Sequence, residues 1–293
     1  MMTLTQRISS YFILAILITL SFSSNAEPGL WQLEKNGVKS YLFGTVHVGD
    51  TSMKGLPSKV TKAIDKTDKV IVEVDISAIS PMDMQRRSMP FMMLKNGKTL
   101  QSELSEKNYA KLKNYFNKKS IDIAMFDGLA PWAVMVTMMQ IEFQNVGFSD
   151  QNGIDKQVLA YAKSKNKAVG ELETLEYQME MFNHMSLLSN EMIEETFEQL
   201  ADVETYFITL VDAWKNGDMV TLTKYYNESF DDSNYGEISE QVMLIERNNN
   251  WVEELTPRLA TEQLFIAVGA LHLPEQHGLL KQFKDQGITV TRL

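Results

Sequence analysis

Apolar positions along the chain fall into two textures. Short, near-continuous apolar runs occur at Ser40 to Val48 ("SYLFGTVHV"), Lys69 to Asp75 ("KVIVEVD"), Lys167 to Glu171 ("KAVGE") and Gln263 to Leu273 ("QLFIAVGALHL"), and "GITVTRL" closes the chain after a turn glycine at Gly287. Runs of this length with little polar alternation predict strands covered on both faces, as in a parallel sheet. Between them the apolar positions follow a helical period. Leu56 to Thr67 has Pro57 placed for a first turn, Ile154 to Ser164 follows the break at Gly153, and Leu279 to Gln286 precedes the last strand. Two longer stretches, about 81–144 and 176–259, are helical throughout, the first with Pro131 opening "PWAVMVTMMQIEFQ", the second broken at Gly217 and around "DDSNYGE". The pattern predicts an α/β fold: a central, mostly parallel sheet with flanking helices and two helical insertions.

The first 26 residues carry a different signal. Arg7 is their only charge, Tyr11 to Leu20 ("YFILAILITL") is a short apolar core, and Ser24-Asn25-Ala26 supplies small residues for cleavage. This is the layout of a secretory signal peptide, too short to span a bilayer comfortably. It predicts an exported chain, periplasmic or secreted, whose mature part is one domain over 27–293 without a membrane span. There is no cysteine, so disulfides, thiolate metal sites and a cysteine nucleophile are excluded, and stability must come from the apolar core. The net charge of −10 repels phosphate backbones, and no basic stripe interleaved with aromatics is present, so nucleic acid is not an expected partner.

Chemistry enters through the histidines. Of the four in the chain, His47 and His272 occupy the same setting, Gly44-Thr45-Val46-His47 and Gly269-Ala270-Leu271-His272, each closing a predicted strand. Acids close the others: Glu73 and Asp75 after "KVIV", and Glu171 and Glu173 after "KAVG". Ligands of open α/β sheets sit at the carboxyl ends of the strands. Two imidazoles with one or two carboxylates there would suit a divalent metal with an open position, able to polarise a carbonyl and acidify a bound water. No H-E-x-x-H, serine elbow, phosphate loop or dinucleotide fingerprint occurs.

The blocks "YLFGTVHVG", "VIVEVD", "GIDKQVLAYAKSKNKAVGELETLEYQ", "ERNNNW" and "FIAVGALHLPEQHGLLKQFKDQGITV" resemble, in order and over nearly the whole chain after the leader, the TraB/GumN family, which includes the Tiki membrane-anchored proteases. The resemblance implies the α/β fold and a cleft where both G-x-x-H histidines meet acids. For Tiki-like members it implies divalent-metal-dependent peptide hydrolysis. Other bacterial members are known as peptide-pheromone shut-down factors or as neighbours of polysaccharide genes. It matches His47 and His272 to the paired histidines, Glu73 to the acid of the second strand, Glu173 and Gln178 to the "LET…Q" block, Asp155 to the "GID" block, and Arg247 with Asn248 to "ERN". Two departures stand out: Ala270-Leu271 precede His272 where Tiki-like members have a glycine, and Glu275 stands where many bacterial members have glycine.

The expected site is therefore His47, Glu73, Glu173, Arg247 and His272, with His47, Glu73 and His272 as ligands of Mn, Co or Zn. Glu73 and Glu173 compete for the role of general base. Arg247 is expected to clamp a substrate carboxylate or a catalytic acid, against a helix-surface pairing with Glu246 or Glu253. Asp155 reads as a first-turn acid, His277 as a rim residue and His184 as a helix-face residue. Methionines in "AVMVTMMQ" and "QMEMFNHM" read as adaptable core, or as a plastic apolar groove. The expected activity is metal-dependent hydrolysis of a peptide or related amide. Two alternatives stand beside it: a non-catalytic envelope protein that sequesters a small peptide or surface ligand, and a metal-free histidine/glutamate hydrolase resembling the erythromycin-esterase type.

Overall fold

The computed structural model describes residues 27–293; the signal-peptide reading of residues 1–26 lies outside them. Six strands, β1 (Leu30–Lys35), β2 (Val38–Thr45), β3 (Lys69–Val72), β4 (Ala168–Glu171), β5 (Leu264–Gly269) and β6 (Thr289–Arg292), form one sheet in the order β4-β3-β5-β2-β1-β6. The four strands predicted to carry the polar residues run parallel: β3 pairs with β4 and β5, and β2 with β5. β1 is antiparallel to both β2 and β6, so the sheet is mixed at one edge. All four parallel strands point their carboxyl ends the same way, which brings Thr45, Val72, Glu171 and Gly269 to one rim.

Central strands are buried on both faces, as their unbroken apolar runs require. Phe43, Val70, Val72 and Phe265 face a layer that includes helices Ser58–Asp65 and Ile154–Ser164 and the Trp214 indole. Leu42, Ile71, Ile266 and Val268 face Trp251 and Leu255 of helix Glu246–Arg258 and Phe283 of helix Leu279–Asp285. Each such aromatic or aliphatic side chain contributes roughly 1.5–3 kcal/mol on burial.

The insertions resolve into many helices. The first holds Pro81–Met92, Glu106–Lys118 and Pro131–Asn145. The second holds Ser189–Gln199, Val203–Lys215 and Met219–Ser229, then a long helix from Asn234 to Arg258 whose middle, Gln241–Ile245, is a π turn. The insertions do more than cover the sheet: Leu112, Phe116, Met138 and Ile193 close a core of their own. Among the described residues no helix is long and apolar enough to cross a membrane.

Candidate functional site

Each strand end delivers its polar residue by a different local device. After β5, Gly269 leads into a 3₁₀ turn, Ala270–His272, that turns the His272 side chain inward. After β2, Gly44 lets the two G-x-x-H segments touch: a Cβ there would meet Leu273 Cδ1 at 2.8 Å and Ala270 Cα at 3.1 Å. The Gly44 carbonyl accepts a 2.8 Å hydrogen bond from Trp214 Nε1. Gly153 is needed for the same reason, since a Cβ would lie 2.4 Å from the His47 carbonyl, where Ile154 N–H donates to Val46 O at 2.9 Å. That junction sets Asp155 against His47.

Arg247 is the centre of the arrangement, and it is 5% exposed. Its Nη2 donates to Glu73 Oε2 at 2.6 Å and to Glu173 Oε2 at 2.9 Å, and its Nε donates to Glu173 Oε1 at 2.9 Å. Its Nη1 donates to the Met243 carbonyl and to His272 Nε2, both at 3.1 Å. Every guanidinium N–H thus has an acceptor. The Trp251 ring lies 4.7 Å from the guanidinium carbon and 4.4 Å from the His272 ring. Gln178 Nε2 bridges the two carboxylates at 3.2 and 3.1 Å, and Gly269 N–H donates to Glu73 Oε1 at 2.6 Å.

His272 is held in one tautomer. Asn248 Nδ2 donates to the His272 and His277 carbonyls at 3.3 and 2.9 Å, which turns Asn248 Oδ1 toward His272 Nδ1 at 2.7 Å. The ring therefore donates from Nδ1 and accepts at Nε2 from Arg247. Burial, with the positive charge of Arg247 and His47, outweighs the pull of Glu73 and lowers its pKa to about 3; it is neutral. Glu73 goes the other way. Burial would raise it, but the adjoining His272 imidazole, the positive charges of Arg247 and His47, and the Gly269 N–H hold it at about 2. A fully hydrogen-bonded carboxylate this acidic is a weak proton acceptor.

His47 stands apart. Its Nδ1 donates to Asp155 Oδ1 at 3.2 Å while 70% of its side-chain surface stays open. Desolvation among the strand ends lowers its pKa, but the Asp155 hydrogen bond and the charges of Asp155 and Glu73 outweigh this and raise it to about 9. Three cavities meet at this ring. One of about 340 Å³ is lined by Phe207, Leu210, Phe230, Met243 and Leu244, and one of about 460 Å³ by Met135, Met139, Phe143 and Phe182. A recess of about 150 Å³ holds Glu73, Asp155 and Gln178.

This geometry corrects the metal reading. Among the described residues no group of three or more histidine, cysteine, aspartate or glutamate side chains is placed to hold a metal ion. The ligand set expected from His47, Glu73 and His272, and with it Mn, Co or Zn, is not built. The reason is physical: the guanidinium occupies the position between the acids and His272 that a cation would need, and it takes the His272 Nε2 lone pair. A divalent ion would have to displace a buried arginine already neutralising both carboxylates. The expectations of a metal cofactor, of a metallohydrolase and of a Tiki-like metalloprotease mechanism are accordingly withdrawn.

Of the sequence-predicted residues, Glu73, Glu173, Arg247 and His272 come together in one bonded cluster, and His47 lies at its open side. Arg247 is not on the helix surface with Glu246 or Glu253, and Glu173 is buried beside it. Asp155 sits in a first turn as expected, yet it makes no cap bond and binds His47. Asn248 and Gln178, matched to the "ERN" and "LET…Q" blocks but given no role in the expected site, set the tautomer and bridge the acids. Asp75 and Glu171 stay outside: Asp75 caps a 3₁₀ turn through Ser77 N–H, and Glu171 accepts from Asp75 N–H. His184 and His277 are exposed, as expected.

The TraB/PrgY/gumN family matches residues 29–292. The chain is similar to the uncharacterized protein YbaP of Shigella flexneri, at 26% identity over 238 residues, covering 80% of this chain and 83% of that protein. YbaP of Escherichia coli (strain K12) is 25% identical over 237 residues, with the same coverage of each. No solved structure matches. With the family match running from β1 into β6 and across every element that builds the cluster, the chain belongs to the TraB/PrgY/gumN family.

Proposed function

We propose that this protein is a non-catalytic binding protein of the cell envelope, exported to the periplasm or secreted, that sequesters a small, largely apolar ligand bearing an amide-type polar group, such as a short peptide. The observation that carries this reading is the commitment of every buried acid and base. Glu73 and Glu173 are saturated by Arg247, Gln178 and Gly269 N–H, and His272 is neutral with both ring nitrogens bonded. Glu73, held at about 2, and His272, at about 3, are not poised to exchange a proton near neutrality; with Glu173 and Arg247 they form a rigid polar floor under apolar walls, the make-up of a preformed ligand site. At the open side, His47 presents an N–H and Asp155 an acceptor, the complement of an amide. The paired G-x-x-H motifs then serve one cleft, one histidine facing the ligand and the other supporting the floor.

A specific observation favours a second reading, metal-free hydrolysis. The bond from His47 Nδ1 to Asp155 leaves Nε2 free toward the cavities, so above about pH 9 the neutral ring would act as general base on a water molecule.

The test is calorimetric titration with a capped leucine- and phenylalanine-rich pentapeptide, followed by mass spectrometry of the recovered peptide. Saturable binding weakened at least tenfold in Leu210→Glu, with intact peptide recovered at pH 7 and pH 9.5, supports sequestration. Cleavage lost in His47→Gln supports the second reading. Absence of binding refutes the first.

A further inference from the structure

The cleft is double. His47, Val48 and Phe143 line both larger cavities, so the polar junction has an apolar chamber on each side of it. The Phe143 ring packs edge-on against Phe207, with centroids 4.2 Å apart and planes at 81°, which places it at the partition. The junction is fixed in place: Gly49 and Ser149 exchange backbone hydrogen bonds of 3.0 and 2.9 Å, tying the His47 loop to the segment that follows helix Pro131–Asn145. Each chamber alone, at about 340 and 460 Å³, has the volume of an ordinary small-ligand pocket. A smaller recess of about 150 Å³, holding Glu73, Asp155 and Gln178, also opens on His47.

A ligand whose polar group sat at one end would fill one chamber and leave the other as apolar surface in water. Burying both requires the polar group in the middle. We infer that the ligand is two-armed: an amide whose acyl and amine sides both carry apolar groups, one in the Leu210 chamber and one in the Met139 chamber. Met139 and Met135 suit this role, because unbranched thioethers adapt to arms of different shape. This rests on the sequestration reading and adds to it the position of the polar group within the ligand.

N-benzyloctanamide, with two arms on one amide, and the one-armed octanamide and N-benzylacetamide separate the two claims by calorimetry at pH 7. The two-armed probe should bind at least 30-fold tighter than either one-armed probe. Met139→Glu should reduce it to the affinity of one of them and Leu210→Glu to that of the other. Both positions are partly exposed, and circular dichroism checks the fold of each variant. A two-armed probe within threefold of the better one-armed probe, or both substitutions abolishing the same arm, overturns the two-armed ligand while leaving a single-chamber binder intact. No binding by any probe to the parent protein refutes the sequestration reading itself.

Discussion

Replacing Arg247 with methionine tests the ion-pair lattice directly. The substitution keeps the aliphatic stem beside Trp251 and removes the guanidinium, leaving Glu73 and Glu173 buried without their cation. Stripping one partner from a buried ion pair costs about 3–5 kcal/mol. The acidity of Glu73 gives an independent figure: a carboxyl held at about 2 against an ordinary 4.5 contributes about 3 kcal/mol of stability at pH 7. Because that pKa is depressed on folding, the contribution is present above pH 4.5 and is lost as pH falls toward 2. In Arg247→Met, Glu73 and His272, both shifted down partly by the Arg247 charge, take up protons at higher pH, so the deficit relative to the parent must shrink on acidification. Thermal unfolding followed by circular dichroism should show a fall of about 6–20 °C at pH 7.5, narrowing by at least half at pH 4. Adding Glu73→Gln and Glu173→Gln to the same chain should recover most of the loss, since removing a whole buried charge set is often close to neutral. A deficit below about 1 kcal/mol, or one unchanged between pH 7.5 and 4, would refute the account of Arg247 as the cation that the two acids require.

Three further outcomes follow from local geometry. His47, followed by imidazole proton NMR, should titrate near pH 9 in the parent and lower in Asp155→Asn; an unchanged midpoint would remove Asp155 as the cause. Glu275→Gly should raise stability by about 0.5–1 kcal/mol in urea unfolding, because Glu275 holds a left-handed φ of 66° that glycine adopts without strain. Gly153→Ala, which drives a methyl to 2.4 Å from the His47 carbonyl, should cost about 1–3 kcal/mol by the same method and shift the His47 resonances. A silent Gly153→Ala would mean that the two loops are not in contact.

Much of the sheet was legible, because strands buried on both faces must be written in unbroken apolar residues. β3, β4 and β5 begin within a residue of the expected starts, and Ile154–Ser164 agrees at both ends. β1 was missed, although Asn36-Gly37 marked its hairpin with β2: both residues have positive φ, 52° and 80°, the signature of a tight two-residue turn. Its alternating "LWQLEK" lacks the run that identified the others. The site was half legible. Strand ends pointed to His47, Glu73, Glu173 and His272, but nothing in their spacing says whether a metal or a guanidinium lies between acids. Arg247 decides that, from a helix reached through a long insertion, and one-dimensional spacing cannot report a side chain arriving from above the sheet. At Glu275, where the resemblance puts a glycine in many members, the backbone holds a left-handed φ of 66° that glycine adopts without strain.

The π turn at Gln241–Ile245 carries the Met243 carbonyl that binds Arg247 and ends immediately before Glu246. A π turn is an α-helix with one residue too many, and its surplus fixes the rotational phase of everything downstream. Deleting a single residue there would restore a regular helix and swing Arg247, Asn248 and Trp251 by about 100° around its axis, away from both acids and His272. Every letter of "ERNNNW" would survive while the floor of the cleft dissolved. For relatives of this chain, the number of residues between the start of that helix and its arginine is therefore as diagnostic of a working site as the arginine itself, and a one-residue gap in an alignment there marks a changed protein rather than a neutral slip.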